Sequence, residues 1–133
     1  MRLCEENITL TGKAAALELL SIAHHKDLVE AVQDGDLHKL WYTNIPSACE
    51  MRAEISRRLE LHRQGSMYPF ALKHLAKQRC VGMTTYMNIE PSQRRLEIGS
   101  TWLRKSIQRS AVNTECKFLL LEYAFEHLNC ICV

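Results

Sequence analysis

The sequence predicts a mixed α/β (α+β) domain in which strands and helices follow one another in the order β-α-α-β-β-β-α-β. The 133 residues are 47% apolar, which is enough to build one compact core. Apolar spacing changes from a helical period to a period of two after position 66, and becomes helical again after position 113. No repeat or Gly/Ser-rich linker divides the chain. We therefore expect residues 1–133 to form a single domain, with a mixed sheet covered by helices on both faces.

The first predicted elements are a strand and a short helix. Ile8 to Leu20 begins with β-type residues and is interrupted by Gly12, so we expect one strand with a kink or bulge. His24 to Gln33 has apolar residues four apart, and Asp34-Gly35 then provides a helix stop signal.

A second helix and a hairpin come next. Ser47 is a suitable N-cap with Glu50 three residues later, and apolar residues recur at helical spacing until Gly65. Met67 to Leu75 and Cys80 to Asn88 are rich in β-forming residues and flank a polar turn, which predicts an antiparallel hairpin.

The third strand of this meander is predicted over 96–103. Regular alternation would place Leu96, Ile98 and Trp102 on one face, with Glu97 on the other. The apolar segment 129–133 predicts a last strand, which the preceding helix would bring back parallel to the sheet.

A long helix is predicted from Asn113 or Thr114 to Leu128. Phe118, Leu121, Phe125 and Leu128 form one apolar stripe, which we expect to pack against the sheet.

Composition argues against several classes of function. Seventeen Lys and Arg residues against 15 Asp and Glu residues give a net charge of +2, too weak a bias to indicate nucleic acid or an anionic membrane as partner. No apolar run reaches the roughly 18 residues of a membrane helix, and the N-terminus has no signal-peptide pattern. We expect a cytoplasmic protein whose six cysteines are reduced. Their spacing does not indicate a zinc site.

The segment between the third meander strand and the long helix carries the chemistry. Arg104 to Asn113 joins a strand to a helix N-terminus, where unpaired amides and the positive end of the helix dipole favour a phosphate. The segment does not match the glycine spacing of a P-loop or of a dinucleotide-binding fold.

This segment resembles the GNAT (GCN5-related N-acetyltransferase) family, in particular its ribosomal-protein and small-molecule branch. The family's Q/R-x-x-G-x-G/A signature is similar to Gln108-Arg109-Ser110-Ala111-Val112-Asn113, with Ala111 at the central glycine. Flanking features agree with it: Gly82-Met83-Thr84, Glu97-Ile98-Gly99, Trp102-Leu103 and Asn113-Thr114-Glu115.

The resemblance implies acetyl-CoA as cofactor and an amine as acceptor, carried by a small molecule, a protein N-terminus or a lysine. The coenzyme A pyrophosphate would bind amides of Gln108, Arg109, Ser110, Ala111, Val112, Asn113 and Thr114. Trp102 and Leu103 would pair with pantetheine as an added strand. Glu97 would be the general base, acting through water. A solvated strand carboxylate is the alternative for Glu97.

The resemblance further implies that the sequence stops at Val133 inside the family's fifth strand, before its final helix and strands and before the tyrosine that protonates the leaving thiolate. We expect weak or no transfer by residues 1–133 alone, and self-association through uncovered apolar surface. The rival hypothesis is a non-catalytic remnant that binds coenzyme A or only self-associates.

Overall fold

A computed structural model describes residues 7–34, 46–108 and 110–133. The described chain contains five strands and three α-helices, which confirms the mixed α/β class. In chain order these are β1 (Leu10–Thr11), β2 (Ala15–Leu19), α1 (His25–Gln33), α2 (Met51–Arg63), β3 (Met67–His74), β4 (Arg79–Glu90), β5 (Arg95–Leu103) and α3 (Ala111–Glu122).

The five strands form one sheet in the order β1-β2-β3-β4-β5, with every neighbouring pair antiparallel. The predicted β3–β4 hairpin and its continuation into β5 are confirmed. At its end the chain returns parallel to β5 through one bridge, between Arg95 and Cys132, and the Ile131 amide donates to the Arg94 carbonyl at 2.8 Å. The predicted last strand is therefore a single parallel bridge.

The N-terminal segment is a hairpin, so the prediction of one kinked strand was wrong. β1 and β2 pair through Leu10 with Leu17. The turn between them lies against α3, where the Glu115 carboxylate accepts from the amides of Ala14 (2.9 Å) and Ala15 (3.0 Å). A side chain at Gly12 would come within 2.0 Å of the same carboxylate. A tertiary contact thus stabilises a turn that local spacing did not reveal.

Helices cover both faces of the sheet, as predicted. α1 and α2 pack on one face, where Leu28, Ile55 and Trp102 belong to one buried apolar cluster. α3 packs on the other face, where Leu120 meets Tyr86. The sheet is therefore the middle of three layers, and both cores are built from its alternating side chains.

The residues that α3 buries differ from the predicted stripe. Val112, Cys116, Leu120 and Ala124 are buried at intervals of four, whereas the predicted residues Phe118, Leu121 and Phe125 are 60%, 39% and 45% exposed. Sequence spacing supports either stripe, and the rotation of the helix about its axis in the folded domain buries the one with smaller side chains.

The end of this helical segment is irregular. A π-helical turn spans Tyr123–His127, and the Leu128 amide donates to the Tyr123 carbonyl at 3.0 Å. The buried Tyr86 hydroxyl donates to the Leu120 carbonyl at 2.5 Å. Such an inserted side chain accounts for a local change in the helical ladder.

Candidate functional site

A bulge in β5 shapes the centre of the candidate site. Gly99 pairs with Thr85 and Trp102 pairs with Met83, so three steps along β5 match two steps along β4. Ser100 takes a φ of 50°, in the left-handed region. The extra residue turns Trp102 onto the α1/α2 face, while Leu96 and Ile98 contact the α3 core. The predicted common face for these three side chains was therefore wrong.

The end of β5 presents backbone close to its neighbour strand. A Cβ at Gly82 would lie 2.2 Å from the Trp102 carbonyl oxygen, so only glycine allows this approach. The Leu103 carbonyl accepts from Gln108 Nε2 at 3.0 Å. Within the described sheet, β5 has a strand neighbour only on its β4 side, apart from the bridge at Arg95. The other edge at Trp102 and Leu103 can accept an added strand.

The loop after β5 is anchored to the end of α1. Asp34 accepts from Arg104 Nε at 3.0 Å and from the Ser106 amide at 3.1 Å. The hydrogen bond from the Ser106 amide holds the pKa of the Asp34 carboxyl below its ordinary value of 3.8, with help from Arg104. The Arg104 charge is thus used to fix the loop.

Several of the backbone amides in residues 108–114 that were predicted to bind the pyrophosphate already have partners inside the protein. The Gln108 amide donates to the Arg104 and Lys105 carbonyls, each at 3.2 Å, and the Ser110 amide donates to Ile107 at 3.2 Å. The prediction that these two amides are available to the pyrophosphate was wrong, because the loop closes into a short 3₁₀ turn over Lys105–Ile107.

The remaining residues of the predicted phosphate site form the N-cap and first turn of α3. Ser110 is the N-cap, and its hydroxyl accepts from the Val112 amide at 3.3 Å. Ala111 and Asn113 lie in the same first turn, where an α-helix has no internal acceptor for its amides. Thr114 is the first residue whose amide reaches the carbonyl of the cap. Arg109 lies outside the described residues.

Ala111 is accommodated at its position. It is exposed and begins α3, and it is not among the described residues with positive φ. The methyl group of Ala111 therefore causes no backbone strain, although the GNAT signature has a glycine at this position.

Glu97 is an exposed carboxylate on β5, three residues before the bulge. Its carboxylate accepts from Asn88 Nδ2 on β4 at 3.0 Å. The amide fixes one oxygen in place, and the exposed setting gives water access to the group.

A cavity of about 450 Å³ lies between α2 and the bulge. Its lining is Pro46, Glu50, Ala53, Glu54, Arg57, Arg58 and Ser100. Sequence reasoning missed this site. The available signal was a glutamate followed by arginines three and four residues later on a predicted helix, which places all three on one face.

Three of the four charged side chains that line the cavity form a triad. Glu54 accepts from Arg57 Nε at 3.0 Å and from Arg58 Nε at 2.9 Å. Burial alone would raise the pKa of Glu54, but the hydrogen bonds from both arginines bring it below 4.5. Burial lowers the pKa of Arg58, which is 1% exposed. Arg58 Nη2 also donates to the Ser100 carbonyl at 3.3 Å.

Comparison with known families decides the identity of the domain. The family described as "Acetyltransferase (GNAT) domain" matches residues 16–131. The chain belongs to the GNAT acetyltransferase family. No curated protein sequence matches it significantly.

Solved structures share this GNAT fold. A GCN5-related N-acetyltransferase from Brucella melitensis superposes with a TM-score of 0.78 at 26% identity, covering 92% of this chain and 57% of that one. The Salmonella typhimurium acetyl transferase that modifies the N-terminal serine of ribosomal protein L7/L12 gives 0.72 at 20% identity, with coverages of 90% and 70%. RimL in complex with coenzyme A gives 0.70 at 19% identity, with coverages of 91% and 70%. The chain thus spans 57–70% of the length of these proteins.

Outside this site, the described residues include a buried thiol but no cluster of metal-binding side chains. Burial raises the pKa of the Cys116 thiol to about 12, so it is a core residue at the start of α3. Among the described residues, no three His, Cys, Asp or Glu side chains are grouped to hold a metal ion. Of the described helices, none has the length and apolarity to span a membrane.

Proposed function

We propose that this GNAT domain transfers an acetyl group from acetyl-CoA to an amine. The observation that carries the proposal is the free, bulged edge of β5 leading through a closed loop into the N-terminus of α3. The family match over residues 16–131 supports the same reaction.

The described residues fit coenzyme A in two places. The strand edge at Trp102 and Leu103, where the Leu103 carbonyl already accepts from Gln108 Nε2, offers its remaining backbone groups to the pantetheine amides. The amides of Ala111 and Asn113, at the positive end of α3, suit the pyrophosphate, and Arg109 remains a predicted contact. When bound, acetyl-CoA supplies an acetyl thioester that an amine can attack.

Glu97 is the proposed general base. Asn88 orients its carboxylate, and its exposure allows a water to carry the proton from the acceptor ammonium to the carboxylate. The backbone amide near Leu103 is the proposed donor to the thioester carbonyl. The acceptor is an amine on a small molecule, a protein N-terminus or a lysine.

Calorimetric titration with coenzyme A and an acetylation assay with acetyl-CoA and an amine panel test this function. The expected result is binding of coenzyme A with weak acetyl transfer, and this transfer should fall roughly 100-fold or more in Glu97→Gln with coenzyme A affinity unchanged. Glu126→Gln, on an exposed residue beyond α3, is the control. Binding without transfer would favour the rival, a non-catalytic remnant. Absence of both would reject the acyltransferase proposal for this chain.

We also propose that the domain self-associates through the outer face of α3. Phe118, Leu121 and Phe125 lie on this face and are exposed, and Ile131 and Val133 add apolar surface at the end of the chain. Contiguous exposed aromatic and aliphatic side chains favour association, and a second copy presents the same apolar chemistry.

A further inference from the structure

Met87 lies beside the proposed base on the α1/α2 face of the sheet. Met87 of β4 pairs with Glu97 of β5. Directly opposite residues of an antiparallel pair share a face, with Cβ atoms about 4.5–5.5 Å apart. The face is the one that α1 and α2 cover, because Met83, four residues earlier on β4, belongs to their apolar cluster. A ligand that reaches the Glu97 carboxylate therefore also meets the Met87 side chain.

Met87 is more exposed than the methionines that fill the core. Met51, Met67 and Met83 are buried, whereas Met87 is partly exposed. A buried methionine stabilises the fold by packing, but a partly exposed one leaves apolar surface in contact with water. Met87 thus offers apolar surface that a ligand can cover.

The position of the Met87 side chain depends on Gly99. A Cβ at Gly99 would lie 2.6 Å from Met87 Sδ, so the thioether occupies the space that a side chain there would fill. The hydroxyl of Ser100, the bulge residue that also lines the cavity, donates to the same sulfur at 3.9 Å. Met87 therefore forms an apolar floor that runs from Glu97 to the bulge of β5.

Glu97 and Met87 offer two different contacts to one ligand. Asn88 Nδ2 donates to Oε2 of Glu97 at 3.0 Å, and Oε1 receives no hydrogen bond from the described residues. An ammonium group can bind Oε1 directly or through water, and the carbon atoms attached to it can then cover the thioether. Methionine adapts to such a chain because its side chain is unbranched and flexible. The pair suits an amine at the end of an apolar chain.

We propose that Met87 determines the specificity for the acceptor by binding the apolar chain that carries the amine. The inference rests on the proposed acetyl transfer with Glu97 as base. It narrows the acceptor to a primary amine at the end of an unbranched apolar chain, which is the chemistry of an aliphatic amine and of a lysine side chain. The α-amine of a protein N-terminus, which is flanked by a polar peptide group, does not fit this description.

NMR of the methionine methyl groups tests the site without any turnover. Butylamine, titrated into the 133-residue chain, should shift the Met87 methyl signal. Propanolamine, in which a hydroxyl replaces the terminal methyl group of butylamine, should bind roughly 4-fold or more weakly, because it buries less apolar surface. The methyl signal of Met51, which is fully buried, should not move with either amine.

Variants separate the apolar contact from the charge. Met87→Gln keeps the length of the side chain but not its apolarity, so butylamine and propanolamine should bind equally, as followed by the amide signal of Glu97. Met87→Leu stays apolar and should keep the preference. Met87→Thr, which is polar and suits a strand, replaces the glutamine variant if that variant does not fold. Ile22→Gln changes an exposed apolar residue elsewhere and should leave both affinities unchanged. Glu97→Gln should weaken both amines by the same factor.

Acceptor kinetics test the same contact in the active protein. Butylamine should be preferred over propanolamine, and the preference should appear in KM with kcat little changed and disappear in Met87→Gln. A peptide with one internal lysine and a blocked N-terminus presents the same apolar chain. Transfer to this peptide would identify a protein lysine as the source of the amine, and transfer to butylamine alone would identify a small aliphatic amine.

The outcomes separate this inference from the proposed function. Three results would overturn the role of Met87 and leave the transferase intact: transfer with no preference for butylamine over propanolamine, faster transfer to a lysine-free peptide with a free N-terminal serine than to butylamine, or a Met87 methyl signal that butylamine does not shift. Butylamine binding that depends on Met87, in a chain that transfers no acetyl group, would support the amine site and reject the transferase.

Discussion

Arg58 Nη2 donates to the carbonyl oxygen of Ser100 at 3.3 Å, and this hydrogen bond joins the middle of α2 to the bulge of β5. The bulge requires Ser100 to adopt a left-handed conformation, with φ at 50°. A side chain from one layer thus stabilises an irregularity in the next, at the point where Trp102 changes face.

The conformation of Ser100 makes the residue sensitive to branching at Cβ. Ser100→Val should lower the free energy of unfolding by about 1–2 kcal/mol relative to Ser100→Gly, because a left-handed φ is costly for a β-branched residue and free for glycine. Denaturant unfolding measures the difference. Ser56→Val, on the exposed face of α2, should change stability little. Equal stability of the two Ser100 variants would contradict the left-handed assignment.

At Ala111, the first position of α3, the backbone N–H can be removed by substitution without disturbing the helix. Ala111→Pro removes an N–H at a helix position that accepts proline, and Ser110 before it is already extended (φ −96°, ψ 172°). We expect coenzyme A to bind roughly 10-fold more weakly, with the melting temperature preserved. Titration calorimetry measures this, and Ala111→Ser, which keeps the amide, is the matched control. Unchanged affinity in the proline variant would remove Ala111 from the phosphate site.

Glu115 connects α3 to the β1–β2 turn. Glu115→Ala removes the acceptor for two amides and should cost about 2 kcal/mol of stability, since hydrogen bonds to a charged group are involved. Glu115→Gln keeps an acceptor and should cost less. Glu122→Ala, at an exposed position of the same helix, should be nearly neutral. Thermal unfolding ranks the three, and equal losses for Ala and Gln at position 115 would count against the contact.

The ion pairs of Glu54 predict a dependence of stability on pH. Because its folded-state pKa lies below the ordinary 4.5, the carboxylate stabilises the fold at pH values above 4.5, and this contribution is lost as the pH falls through the folded-state value. Wild type should exceed Glu54→Gln in unfolding free energy at neutral pH, and the gap should close in acid. The exposed Glu60→Gln provides the comparison within the same helix. A gap that is independent of pH would show that the charge of Glu54 is not responsible.

The exposed face of α3 predicts concentration-dependent association. Phe118→Glu should shift the domain toward monomer in light scattering, because a charge in an apolar contact must be desolvated. Ile22→Glu places the same charge on an exposed apolar residue elsewhere and should have no effect. A wild-type monomer at high concentration would reject this proposal.

The sequence by itself determined the three helices, the hairpin and meander, the placement of helices on both faces, and the family. These depend on local signals: the periodicity of apolar residues, the Ser47–Glu50 cap and the strand, loop and helix around residues 96–122. Each of these signals lies within a short stretch of chain, so propensity and spacing suffice to read it.

Tertiary structure alone decided which side chains point where. The bulge at Ser100 reversed the face of Trp102, the docking of α3 buried Cys116 in place of Phe118, and closure of the loop used the amides of Gln108 and Ser110. The physical reason is that a one-residue shift in strand register, or the rotation of a helix about its own axis, leaves the sequence pattern unchanged but moves side chains to the opposite side. The Arg58 cavity depends on the same kind of contact, between residues 42 positions apart.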